Sequence, residues 1–131
     1  MIGLDTNVLV RYIMQDDGRQ SPIATALIEQ LTAEAPGFAP LVVVVELAWV
    51  LSSAYGLSRD QVAQALEAIV RTKEIVVETP DTVWRALRLF KAGGAEFADC
   101  LIERAAAAAG CDRTMTFDRG AVKGCGMTLL T

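Results

Sequence analysis

No histidine occurs anywhere in the 131 residues, and that absence removes more chemistry than any other feature of the composition. A Ser-His-Asp triad, an imidazole zinc site and an imidazole-based ribonuclease mechanism all need the missing side chain. Three cysteines, Cys100, Cys111 and Cys125, form an odd set with no close pair, which argues against a disulfide framework and a thiolate zinc site. They are expected to be buried small hydrophobes. No apolar run is long enough to span a bilayer; the longest, Leu41–Val45, is cut by Glu46. Met1 leads straight into Ile2-Gly3-Leu4-Asp5 without the basic and apolar regions of a targeting peptide, so a cytoplasmic protein is expected, with no membrane partner. An excess of positive charge is lacking too: 12 basic residues stand against 16 acidic ones, a net charge of −4. Nucleic-acid binders usually carry a basic footprint, but a cation held among converging acids reverses the local sign. Any hydrolytic chemistry here falls to carboxylates, as general bases or as holders of a hard metal ion.

What is present is a composition 53% hydrophobic and 21% charged, expected to fold as one domain over residues 1–131. Met1–Leu4 reads as a strand, and Asp5-Thr6-Asn7 offers N-cap chemistry for a helix through Val8–Met14. Asp16-Asp17-Gly18 breaks it. Ser21-Pro22 opens a second helix with Ile23, Leu27 and Leu31 at helical spacing, and Phe38-Ala39 follows as a short strand. Leu41–Ser53 sets the strand propensity of four successive valines against the length of the apolar run, and length favours helix. Ser58-Arg59-Asp60-Gln61 resembles a capping box, ahead of Val62, Leu66, Ile69 and Val70 on one helical face. Ile75–Val77 is a strand; Thr79-Pro80 caps a helix carrying Val83, Leu87 and Phe90, stopped by Gly93-Gly94. Phe97–Ala109 is a helix apolar almost all round and so expected to be buried. Arg113–Phe117 is a strand, Asp118–Lys123 a turn of helix and Met127–Leu130 a last strand. Strands separated by helices predict an α/β fold with a parallel sheet covered on both faces.

Sites in such sheets form beyond the C-terminal ends of strands, where Asp5 and Asp118 fall; both are also good N-caps. Glu78 ends a strand as well, but it precedes a Thr-Pro cap and reads as structural. Glu46 has apolar neighbours in either secondary structure: Val42, Val43, Trp49 and Val50 in a helix, Val44 and Ala48 in a strand. That predicts a carboxylate on a dry face, costly unless a cation, an arginine or strong donors meet it. Asp99 opens an apolar helix, with Glu103 one turn on along the same face; the helix dipole alone would favour an acid there. Four acids from four distant segments, in a chain without histidine, suit Mg²⁺ or Mn²⁺ rather than zinc, because converging like charges do not all stay ionised without a cation.

Ile2-Gly3-Leu4-Asp5-Thr6-Asn7, Val45-Glu46-Leu47, Phe97-Ala98-Asp99 and Thr116-Phe117-Asp118-Arg119 together resemble a PIN domain, in particular the VapC toxin ribonucleases of bacterial toxin–antitoxin pairs. The resemblance covers nearly the whole chain. It implies a PIN-like three-layer fold with a parallel β-sheet flanked by helices on both faces, dependence on Mg²⁺ or Mn²⁺, and cleavage of RNA. It also implies homodimerisation and a cognate VapB-like antitoxin that blocks the site. Carried over position by position, Asp5 and Asp99 become the principal metal ligands, Glu46 and Asp118 complete the acidic cluster, and Asn7 and Thr116 orient the acids. Glu103 lies outside the shared pattern. Lys123-Gly124-Cys125-Gly126 departs from the Pro-Gly turn expected in the final loop. The activity implied is metal-assisted phosphodiester hydrolysis, with Arg11, Arg119 and Lys123 as candidate contacts to RNA phosphates. A response-regulator receiver lacks its acidic pair here, and a haloacid-dehalogenase phosphatase would need Asp where position 7 is Asn. The remaining rival is a catalytically silent binding module of the same fold.

Overall fold

Short apolar runs alternating with helical periods become five short strands and seven helices, described over residues 1–131 in a computed structural model. The backbone packs as two compact units, Met1–Glu78 and Thr79–Thr131. No helix is long and apolar enough to cross a membrane.

The first unit runs β1 (Ile2–Gly3), α1 (Thr6–Met14), α2 (Gln20–Gln30), β2 (Gly37–Ala39), α3 (Leu41–Ser53), α4 (Arg59–Arg71) and β3 (Ile75–Val77). Its three strands pair in the order β1-β2-β3, all parallel, because each strand is separated from the next by a helical crossover long enough to return the chain to the same end. Ile2 is in register with Gly37, and Gly37 with Ile75. The pairing leaves residues 4–5, 40–41 and 78 at the C-terminal strand ends.

Local chemistry explains the helix starts. The Asp17 carboxylate accepts from the Arg19 and Gln20 amides at 2.9 and 2.6 Å and opens α2. Those bonds, the Gln20 one first, hold its pKa below the ordinary value. Helix α3 wins over the strand propensity of Val42–Val45: Pro40 precedes it, and Glu78 Oε1 accepts from the Leu41 amide at 2.7 Å, so Glu78 is a cap, as its structural reading requires. The Ser58–Gln61 capping box on α4 forms in full. One face shifts from expectation. Helix α2 buries Ser21, Ala24 and Ile28 and leaves Ile23 exposed, since the small Ser21 and Ala24 are the residues that allow close approach of another helix, and α2 packs on α1.

The second unit runs α5 (Pro80–Ala92), α6 (Phe97–Ala108), β4 (Met115–Thr116), α7 (Arg119–Cys125) and β5 (Thr128–Leu129). Strands β4 and β5 are a parallel pair, Met115 opposite Thr128. Helices α5 and α6 share the unit's core through Val83, Leu87, Phe90, Phe97 and Leu101, with the rings of Phe90 and Phe97 edge to face at 5.9 Å. Pro80 stands at the helix start as expected, but Thr79 is left-handed (φ 45°) and its side chain makes no capping bond. Helix α6 is not buried all round: Ile102 and Ala107–Ala109 are exposed, because its alanines reflect helix propensity more than burial. Cys100 and Cys125 are buried as expected, whereas Cys111 is exposed just after the helix ends.

The turn from α5 into α6 lies directly against α7. A Cβ on Gly124 would fall 2.5 Å from the Ala95 nitrogen, while one on Gly94 would meet nothing within 4 Å. The Gly124-containing sequence thus supplies close packing where a Pro-Gly turn was expected. Gly124→Ala is expected to destabilise the protein by about 1–3 kcal/mol through overpacking, with Gly94→Ala within about 0.5 kcal/mol of wild type; urea denaturation of both variants measures the difference.

Candidate active site

In the first unit the chain leaves β1 at Leu4 and turns at once into α1. Asp5, in an extended conformation, is the N-cap, and its Oδ1 accepts from the Thr6 amide at 2.7 Å. Thr6 is buried, and its hydroxyl donates to Glu46 Oε1 at 2.8 Å, a tie between residues 40 apart in sequence. A hydroxyl has one proton to give, so this bond fixes which Glu46 oxygen is occupied. Asp5, Thr6, Asn7, Arg11, Glu46 and Tyr55 line a common cavity of about 440 Å³. Asn7, expected to orient an acid, makes no such bond; Thr6 does, and it was missed because a buried threonine at the first position of a helix looks like ordinary helix-start chemistry.

Glu46 is solvent-exposed, which corrects the expectation of a dry face. Apolar neighbours one turn away make a dry face only where they are themselves buried, and Val42 and Trp49 are 65% and 66% exposed. The buried stripe of α3 is Val43, Val44, Leu47, Ala48 and Leu51, and a helix this apolar presents hydrophobic residues on its open side as well.

In the second unit, half-buried Asp99 stands in the first turn of α6. Burial pushes its carboxyl above the ordinary carboxylate pKa, and the charges of Asp118 and Glu96 push the same way. Asp118 caps α7: its Oδ1 accepts from the Gly120 amide at 2.8 Å, and its own amide donates to Thr116 Oγ1 at 3.0 Å. Thr116 thus holds the backbone at Asp118, while the Gly120 amide holds the carboxylate itself. Glu103, one turn beyond Asp99, is buried and paired with the neighbouring Arg104, whose Nε reaches its Oε2 at 3.1 Å. That ion pair answers its charge locally. Glu96 was not singled out from sequence, although its place three residues before Asp99 at a helix start was the available signal. Burial, together with the nearby Asp99, Glu103 and Asp118 charges, raises the Cys125 thiol pKa, which suits a packing role.

The structure thus brings the acids together in pairs: Asp5 and Glu46 both bond to Thr6, and Asp118 lies near enough to Asp99 for its charge to raise the Asp99 pKa. Within neither unit do three Asp, Glu or Cys side chains gather closely enough to hold a metal ion. The donor chemistry nonetheless fits a hard cation. Asp5, Glu46 and Asp118 each spend one oxygen on a protein donor and keep the other open, and the Asp99 carboxylate accepts no hydrogen bond from the protein. Oriented carboxylates with one open oxygen are what Mg²⁺ or Mn²⁺ takes as ligands.

The PIN domain profile matches residues 2–124, a span that contains all four acids and runs through both units. The chain belongs to the PIN domain family. A protein named VapC ribonuclease from Aquifex aeolicus (strain VF5) is 25% identical over 116 residues, covering 88% of this chain and 86% of that protein. The α/β architecture with parallel strands is that of a PIN domain, as the sequence resemblance implied.

The pKa of Asp99 gives this PIN domain a measurable signature. Because the folded value is raised, the unfolded chain ionises first as pH climbs from the ordinary Asp value, and the folded state loses stability until Asp99 ionises too. Removing the charge removes that penalty. In metal-free buffer at neutral pH, Asp99→Asn is expected to raise the thermal midpoint by on the order of 2 °C, and the gain should vanish at pH 3; calorimetric scans at the two pH values test it.

Proposed function

We propose that this PIN domain is a metal-dependent endoribonuclease, the toxin of a type II toxin–antitoxin pair, with Asp5, Glu46, Asp99 and Asp118 serving one Mg²⁺ or Mn²⁺ centre. The observation that carries the reading is the half-open state of the acids: protein donors fix Asp5, Glu46 and Asp118 by one oxygen each, while burial and neighbouring charge resist ionisation of Asp99 unless a cation compensates. The similarity to a VapC ribonuclease supplies the substrate class. Assignment of all four acids to a single centre rests on the family resemblance and on this shared donor chemistry.

Asp5 and Asp99 are the principal ligands in this proposal, with Glu46 and Asp118 completing the set. A bound divalent ion lowers the pKa of water and stabilises negative charge on a phosphate under attack. The Thr6 hydroxyl on Glu46 and the Gly120 amide on Asp118 hold one oxygen of each carboxylate, which leaves the other oxygen for the reaction. An open oxygen of Glu46 or Asp118 would accept the proton of the water as its oxygen bonds to phosphorus; the bond from phosphorus to the 3′ oxygen then breaks, and that oxygen leaves with the electron pair and takes a proton from solvent. The cellular setting that follows is cytoplasmic, with RNA as substrate, a VapB-like antitoxin covering the acids, and a homodimer as the working form. A catalytically silent RNA- or protein-binding module is the alternative, and the absence of any three-acid group within either unit is the observation in its favour.

Cleavage of RNA by wild type, Asp99→Asn and Thr6→Val, with Mg²⁺ and with EDTA, separates the two. The enzyme reading predicts loss of activity in EDTA, a loss of about 100-fold or more in Asp99→Asn, and about 10-fold in Thr6→Val, in which Glu46 keeps its charge but loses its orienting donor. Turnover that survives both EDTA and Asp99→Asn contradicts the mechanism, and no turnover by wild type under any metal favours the silent module.

A further inference from the structure

Arg11 is tied down by three separate groups. Its Nε donates to Gln20 Oε1 at 2.8 Å, and its Nη1 donates to Asp16 Oδ1 and to the Tyr55 hydroxyl, both at 3.3 Å. Tyr55 in turn donates to Asp16 Oδ2 at 2.8 Å, and this bond, the largest cause, raises the phenol pKa and keeps the proton in place as donor. A guanidinium carries five N–H groups; three are spent, and the two on Nη2 have no protein partner. The ion pair with Asp16 is about one-third exposed on both sides, so it adds little stability. What the three anchors do achieve is orientation: they remove the rotamer freedom that a surface arginine otherwise loses on binding.

The place of this held arginine matters. It lines the same cavity of about 440 Å³ as Asp5 and Glu46, a volume within the range of about 300–1,000 Å³ typical of small-molecule sites. A cavity that offers two open carboxylate oxygens and one oriented guanidinium suits a ligand that is itself anionic but meets the acids through a cation. A nucleotide unit of an RNA strand has that character. We propose that this cavity is a nucleotide subsite in which Arg11 binds an RNA phosphate through Nη2, with Asp16, Tyr55 and Gln20 as its positioning residues. The inference rests on the nuclease reading and adds to it a specific phosphate contact. Of the three basic residues singled out in the sequence, only Arg11 has this support; Arg119 and Lys123 have no hydrogen bond that holds them toward a site.

The test is equilibrium binding of a short, labelled single-stranded RNA, followed by fluorescence anisotropy across a salt series, with Ca²⁺ replacing Mg²⁺ and the RNA checked for integrity by gel. Arg11→Ala is expected to weaken binding about 10-fold at low salt and to reduce the slope of log K against log salt by about 0.7, the signature of one lost phosphate contact on a single strand. Arg11→Lys keeps the charge but not the fork, so the slope stays near wild type while affinity falls a few-fold. Tyr55→Phe leaves the charge and the ring in place and removes an anchor; it should weaken binding a few-fold with the slope unchanged. Thermal midpoints within about 4 °C of wild type would accompany all three. Should Arg11→Ala unfold, Arg11→Lys and Tyr55→Phe decide the matter by the same readouts. Wild-type affinity and slope in the folded arginine variants, with RNA still cleaved, overturn the subsite and leave the nuclease reading standing. If wild type neither binds nor cleaves RNA, both fall.

Discussion

Carboxylates do not crowd together for the sake of stability. Each that is drawn toward another pays in repulsion and lost hydration, and a fold that keeps such groups does so because something else offsets the cost when the protein works. Here the cost is visible at Asp99, which burial and the charges of Asp118 and Glu96 hold above the ordinary carboxylate pKa. It is visible again at Asp5, Glu46 and Asp118, where one oxygen is held by the protein and the other left open. In the proposed nuclease a divalent cation taken up by those open oxygens offsets that cost.

The fold provides them by economical means. Asp5 and Asp118 each follow a strand and cap the helix that begins there, so in each unit one residue both satisfies a helix amide and presents an acid at the C-terminal edge of that unit's own sheet. Glu46 reaches the first of these through Thr6, a hydrogen bond that joins α1 to α3. Asp99 needs no cap chemistry, since the first turn of α6 favours negative charge by its dipole. Rigid elements thus carry the acids, which is the condition for a preorganised site.

Much of this was readable in the chain because local rules and tertiary outcome agree. The Ser58–Gln61 box, the Asp5 cap and strand Ile75–Val77 each follow from short-range chemistry, and helix Leu41–Ser53 follows from the length of its apolar run. The failures share a cause: burial is decided by packing partners that periodicity does not name. Ile23 has the right spacing and lies outside, because small residues set the approach of α2 to α1. Glu46 has apolar neighbours and is exposed, because those neighbours are exposed with it. Ala107, Ala108 and Ala109 look like core and are surface. Thr6, which orients Glu46, and Glu96, which acts on Asp99, went unnoticed because their significance lies in contacts and charge that their sequence positions alone do not reveal.

The most direct measurement of the central claim is calorimetric titration of Mn²⁺ into the RNA-free protein, for wild type and for Asp5→Asn, Glu46→Gln, Asp99→Asn and Asp118→Asn in turn. One centre built from all four acids predicts saturable binding by wild type that every one of the four substitutions weakens. Affinity unchanged by removal of either pair, Asp5 with Glu46 or Asp99 with Asp118, would contradict it.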